Sequence, residues 1–164
     1  MSADARSGGG LLGRIAARHP AAVIAVSVAA ALGANLVLWL AGVALGGSFQ
    51  FTEADGSLHT TTAPQGVITM TVLPMTAGLA LATLLAAAGK RRAVLRSAQV
   101  VGAGAALATT AQTFTARFDT PSTIALTGMH LVIAALVLLA LEALARREKP
   151  VAADPLTATP AVRP

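Results

Sequence analysis

Charge is absent from four long stretches of this chain. Residues 20–52, 60–89, 97–116 and 120–141 contain no Asp, Glu, Lys or Arg, giving runs of 33, 30, 20 and 22 residues. An α-helix needs about 20 mostly apolar residues to cross the hydrocarbon core of a bilayer, and every run meets that length. Inside lipid the backbone N–H and C=O groups must bond within the protein, which leaves helices and closed barrels as spanning forms. A barrel calls for short strands of alternating apolar and polar residues, and the runs do not alternate. The pattern predicts an all-α membrane protein. It takes the form of a four-helix transmembrane bundle with spans near 21–45, 67–88, 96–116 and 122–144.

The rest of the composition follows the same logic. Of 164 residues, 55% are hydrophobic and 12% charged, about half the ~25% charge of a soluble domain. That balance excludes an ordinary soluble enzyme of this length, and equally a disordered chain, which needs low hydrophobicity. The absence of cysteine excludes disulfides, thiolate metal sites and cysteine nucleophiles. Pro20, Pro64 and Pro121 stand at or just before helix starts, where a missing N–H costs nothing. Asp119-Thr120-Pro121 reads as a cap followed by a first-turn proline. Pro74 alone falls inside a span, as a helix-kink position. The third span is the least apolar, with Val100, Val101, Leu107 and Phe114 set among Ala, Gly and Thr. The first apolar run far exceeds the roughly 7–15 residues of a secretory signal core, which favours an uncleaved anchor.

The twelve Lys and Arg residues are distributed unevenly. Arg6, Arg14 and Arg18 precede the first span, Lys90, Arg91, Arg92 and Arg96 lie between the second and third, and Arg146, Arg147, Lys149 and Arg163 follow the fourth. Only Arg117 falls on the other side. Short loops rich in Lys and Arg stay in the cytoplasm, so both termini and the 90–96 loop are expected there. The aromatics Trp39, Phe49, Phe51, Phe114 and Phe118 all gather at the opposite ends of the spans, as interfacial aromatics do. The net charge of +5 is therefore read as orientation and contact with anionic lipid, not as nucleic-acid binding.

Outside the spans, residues 1–10 are Gly-rich and expected to be disordered, and Gly10–His19 has the pattern of a short amphipathic surface helix. The tail from 146 to 164 is rich in Pro and Ala and expected to be disordered. The outer loop, 47–66, alternates Phe49-Gln50-Phe51-Thr52, turns at Asp55-Gly56 and continues into a Thr-rich stretch, which predicts a small β-hairpin. His19 and His59 fall outside the bilayer and are expected to be solvated.

Three features inside the spans bear on function. Small residues recur every four positions at Ala30/Ala34, Gly78/Ala82/Ala86 and Ala98/Gly102/Ala106. Such spacing lets helix backbones approach closely, within the bundle or in a helix-mediated homo-oligomer. A band of polar side chains comprises Asn35, Thr69, Thr71, Thr76, Thr109, Thr110, Gln112, Thr113 and His130. At about 1.5 Å per residue, most of these lie in the outer half of the bundle. Polar groups in lipid face the interior and bond one another. Asn35, Thr109, Gln112 and His130 are thus candidates for either an interhelical network or an outward-facing polar pocket. Glu142, one turn before Arg146, reads as an i,i+4 ion pair at the inner end. No metal or cofactor is expected, since one His with amides is a poor ligand set. No catalytic residues are expected either, because His130 has no paired carboxylate, Ser–His pair or His cluster to work with, and Glu142 lies over two turns of helix away from it.

The chain resembles a family of small actinobacterial integral-membrane proteins known only as a domain of unknown function, number 6069. The resemblance runs over about residues 15–145. It is carried by Asn35-Leu36-Val37-Leu38-Trp39-Leu40 with Gly46, by Val72-Leu73-Pro74 to Gly78-Leu79-Ala80, and by Asp119-Thr120 through Met129-His130-Leu131-Val132. It implies four helices and a multi-pass bacterial membrane protein, and supplies no catalytic residues. The third span here is richer in Thr and Gln than the family pattern. The expected role is a non-enzymatic structural or accessory membrane component. The alternative is a small transporter or ligand-binding membrane protein that uses the polar pocket.

Overall fold

The computed structural model describes residues 19–52, 56–60 and 64–146. The Gly-rich start, the surface-helix segment before His19 and the tail from 147 onward lie outside the described residues. Four helices carry the fold: α1 Pro20–Ala44, α2 Pro64–Ala88, α3 Arg91–Thr115 and α4 Thr120–Ala145. Between α1 and α2 stand two short strands, β1 Gln50–Thr52 and β2 Leu58–Thr60. They pair antiparallel with Phe51 opposite His59. Among the described residues α1, α2 and α4 are long and apolar enough to cross a membrane. α3 is as long but begins with Arg91, Arg92 and Arg96 in its first two turns, ahead of the apolar run.

Helix ends follow local chemistry. Prolines open α1 and sit at the first turn of α4, and Asp119 caps α4 by accepting from the Ser122 backbone N–H at 2.8 Å. α1 closes as Gly46 turns to φ +85°, the left-handed region that glycine reaches without steric cost. The Gly47 N–H then returns to the Gly42 carbonyl at 2.8 Å. Pro74 lies inside α2, which stays helical from Pro64 to Ala88. The proline removes the amide that would bond the carbonyl of Met70, four residues earlier.

The helices form a square of neighbours in chain order, and α4 touches all three others. Two apolar clusters fill it. One, toward the Lys90 end, joins Val28 and Ala31 of α1, Leu79 of α2, Leu95 of α3 and Leu141 of α4. The other, toward the Asp119 end, joins Phe49 to Ala125, Leu126 and Met129, with Leu38, Trp39 and Phe118 around them. Small residues set the helix approach. A Cβ on Gly42 would stand 2.6 Å from the Phe49 ring and 2.9 Å from the Ala125 Cβ, and one on Gly102 2.9 Å from Val137. Large apolar side chains such as Met70, Leu84, Val100 and Leu139 point outward and exposed, as a lipid-facing surface requires.

Candidate functional site

The polar side chains within the helices separate into two groups. Asn35 is buried at 1% exposure between the two apolar clusters, and its Nδ2 donates to Thr71 Oγ1 of α2 at 3.0 Å. Thr71 is buried as well, so the pair forms a polar bridge through the bundle centre. The Asn35 Oδ1 has no partner among the described residues. An amide supplies two donors and an acceptor, so the bridge leaves one end of it unmatched.

His130 lies on α4 between the residues that feed the two clusters. It is half-buried, and its Nδ1 stands 2.7 Å from the Leu126 carbonyl one turn back. A carbonyl only accepts, so Nδ1 carries the hydrogen of this contact. Thr109 and Gln112, the α3 candidates, are exposed. The Thr109 hydroxyl donates to the Ala105 carbonyl at 2.6 Å, and Thr110 and Thr113 likewise bond the preceding turn of their own helix. Ser and Thr commonly satisfy themselves this way inside helices. The helix register brings Thr109 and His130 to one level. Gly102 meets Val137 across α3 and α4, and two turns onward from that contact stand Thr109 and His130. Of the four candidates, Asn35 is thus joined to a neighbouring helix, while Thr109 and His130 bond within their own helices and Gln112 faces outward.

The densest polar assembly lies elsewhere, at the Asp119 end, and sequence reasoning assigned it only a cap. One carboxylate gathers three donors from two segments. Asp119 Oδ2 accepts from the Ser48 N–H at 2.8 Å and the Ser48 hydroxyl at 2.6 Å, and Oδ1 accepts from the Ser122 N–H. The Ser122 hydroxyl, buried, then accepts from the Phe49 N–H at 2.9 Å. Hydrogen bonds from Ser122 and then Ser48 hold the Asp119 carboxyl well below the usual carboxylate range. Phe49 sits 2% exposed at φ 53°, a left-handed conformation that costs a bulky residue roughly 1–2 kcal/mol. Its buried ring and its bond to Ser122 offset that strain. The Phe51 and Phe118 rings meet in a tilted contact, their centroids 5.6 Å apart. The signal was present: a cap aspartate uses one oxygen on its own helix and leaves the other free for the Gly46-Gly47-Ser48 turn.

At the other end, Arg91 donates to the Leu144 carbonyl at 2.8 Å, and Glu142 pairs with Arg146 at 2.8 Å and accepts from Gln99 at 3.3 Å. Among the described residues no cluster of His, Cys, Asp and Glu is grouped to hold a metal ion.

No curated protein and no solved structure matches the chain significantly. A family model does match, from residue 14 to residue 147, the whole of the four-helix region just described. The chain belongs to the Family of unknown function (DUF6069).

Proposed function

We propose that this protein is a four-span plasma-membrane protein with both termini in the cytoplasm, serving as a non-enzymatic structural or accessory component of the membrane. The observation that carries this reading is how the polar band is satisfied. Asn35 bonds Thr71, whereas Thr109, Thr110, Thr113 and His130 bond their own helices. Of these, only the Asn35–Thr71 bond ties two helices together, and hydroxyls and an imidazole spent on their own helices leave no convergent set of groups to bind or transform a solute.

The orientation rests on cation placement. Lys90, Arg91, Arg92, Arg96 and Arg146 share one end of the bundle, and Arg117 stands at the other. α3 completes the fourth crossing although it is the least apolar helix. Its buried residues Leu95, Ala106 and Thr113 face the bundle, and α4 packs along it. Reporter fusions after Arg147 and within residues 53–56 test the topology. The expected result is cytoplasmic activity for the first and exterior activity for the second. An exterior signal after Arg147 refutes the four-span reading.

One observation favours the transport alternative: the Asn35 Oδ1 is buried without a partner. Replacing Asn35 by Leu separates the two readings. A packing role predicts altered heat resistance in detergent with unchanged solute flux in liposomes. A binding role predicts the reverse.

A further inference from the structure

The two halves of α2 are anchored differently. Toward the Lys90 end, Met75, Leu79, Ala82 and Ala86 belong to the larger apolar cluster, with Val72 packed against it. Toward the Asp119 end, none of residues 64–71 belongs to either cluster among the described residues. From 64 to 74 only Val67 and Thr71 are buried, while Ile68, Met70 and Leu73 stand exposed. Among the described residues, the hydrogen bond that ties this half to another helix is the one from Asn35 to Thr71. Few buried contacts and a single polar tie mark a segment of low local stability.

Between the two halves the helix is weakened twice. Pro74 leaves the Met70 carbonyl without its helical donor, and Gly78 follows one turn later. A Cβ on Gly78 would meet nothing within 4 Å, and its φ is not positive. Neither packing nor backbone geometry therefore requires glycine at this position, where alanine makes the stiffer helix. Proline and glycine are the residues at which helices bend. The tie that holds the half beyond them is incomplete, since the Asn35 Oδ1 is buried without a partner.

We propose that residues 64–73 of α2 form a hinged arm that swings away from the bundle at Pro74 and Gly78, with the Asn35–Thr71 bond as its latch. The latch releases readily, because interhelical hydrogen bonds in membranes are weak and the Asn35 amide is matched at one end only while the arm is closed. Opening uncovers Asn35, whose Oδ1 then gains a donor from water or a solute. The arm gives the bundle a second state, which goes beyond the structural role. It rests on the packing of α2 and holds whichever end faces the cytoplasm.

Because the chain has no cysteine, one introduced thiol reports local opening. The full chain in detergent carries either Val67→Cys, on the arm, or Leu126→Cys, buried in the Phe49 cluster at the same end of the bundle, and is labelled with a water-soluble maleimide. Val67→Cys is expected to label faster than Leu126→Cys. Thr71→Val keeps the side-chain shape and removes the latch. It should raise labelling of Val67→Cys about threefold, the weight of one interhelical bond, and leave Leu126→Cys unchanged. Gly78→Ala, whose Cβ has open space, should lower labelling of Val67→Cys about fivefold, the helix preference of alanine over glycine. Pro74→Ala, which restores the amide to the Met70 carbonyl, should lower it at least as far. Unchanged labelling of Val67→Cys in both Gly78→Ala and Pro74→Ala overturns the proposal. So does a parallel rise of Val67→Cys and Leu126→Cys in Thr71→Val, which would assign the opening to the whole bundle.

Discussion

The two ends of this bundle are held by opposite means. At the Asp119 end a single carboxylate accepts three hydrogen bonds from Ser48 and Ser122, and the Phe49 ring plugs the helices beneath it. At the Lys90 end long cationic side chains make the contacts: Arg91 reaches across to the carbonyl of Leu144, and Arg146 pairs with Glu142 on its own helix. The first arrangement uses short side chains and backbone amides, so little conformational entropy is lost in forming it. The second uses Arg side chains, which lose up to ~2 kcal/mol of rotamer freedom when fixed. The same number of visible contacts should therefore count for more at the Asp119 end.

The largest effect is expected from Asp119→Ala. It strands the Ser48 and Ser122 amides and frees the loop that carries Phe49. Bonds to a charged acceptor contribute about 1.5–3 kcal/mol, and a loss of about 3 kcal/mol in detergent thermal unfolding is expected. A loss below ~1 kcal/mol would erase the contrast between the ends. The same carboxylate confers a pH dependence. Its folded pKa lies below its unfolded value, so as pH falls the unfolded chain takes up the proton first. The stabilisation is complete at neutral pH and declines below about pH 4. Asp119→Asn should flatten that acid limb, which unfolding followed from pH 6 to pH 3 would reveal.

Gly42→Val probes the same end by packing. Its Cβ would meet the Phe49 ring at 2.6 Å and Ala125 at 2.9 Å, and overpacking of this kind costs about 1–3 kcal/mol. The ring must leave its pocket, and the strained φ of Phe49 should relax with it. Because no tryptophan lies elsewhere in the chain, the emission of Trp39, which packs on the Phe49 cluster, reports the displacement directly. An unshifted spectrum with native stability would mean the ring does not plug the bundle.

How far the sequence foretold these ends depends on the range of the forces involved. Apolar runs foretold the helices because burying or lipid-solvating twenty residues is a large, local and additive preference. The alternation of Phe49-Gln50-Phe51-Thr52 and the Asp55-Gly56 turn signal in the sequence foretold the paired strands for the same local reason. The Glu142–Arg146 pair was legible because i,i+4 neighbours meet on any helix. Ser48 bonding Asp119 was not legible, since 71 residues separate them and only the antiparallel packing of α1 and α4 brings them together. The polar band lay between these cases. Depth can be counted from the sequence, but which face of a helix its neighbours will cover cannot. The count therefore placed Asn35, Thr109, Gln112 and His130 at similar levels, and did not foresee that Thr109 and Gln112 would be exposed.

The bundle centre offers an intermediate effect. Thr71→Val removes the partner of Asn35 and leaves a fully buried amide without a hydrogen bond, whereas Asn35→Leu removes both the bond and the orphaned Oδ1. Interhelical hydrogen bonds in membranes average about 0.6 kcal/mol, but an unmatched buried polar group costs about 1–3 kcal/mol. Thr71→Val should thus destabilise by about 1 kcal/mol and Asn35→Leu by less, despite its larger change in chemistry. The reverse order, measured by thermal unfolding of the two variants, would mean that Asn35 binds something besides Thr71.

The smallest effect belongs to Arg146→Ala, and its smallness is what sharpens the contrast between the ends. The Arg146 and Glu142 side chains are 78% and 42% exposed, so water and counterions already solvate both charges. Exposed pairs of this kind contribute little to stability. Glu142 would also keep its bond from Gln99 after the substitution, leaving no stranded group. Arg91→Ala differs, because the Leu144 carbonyl it caps is the last turn of α4 and the bond is half-buried. A thermal midpoint within error of the parent's for Arg146→Ala, insensitive to salt beyond 0.5 M, together with a measurable loss for Arg91→Ala, would place what strength the Lys90 end has in the carbonyl cap and not in the ion pair. Equal losses for the two variants would show that the ion pair is held more rigidly than its exposure implies.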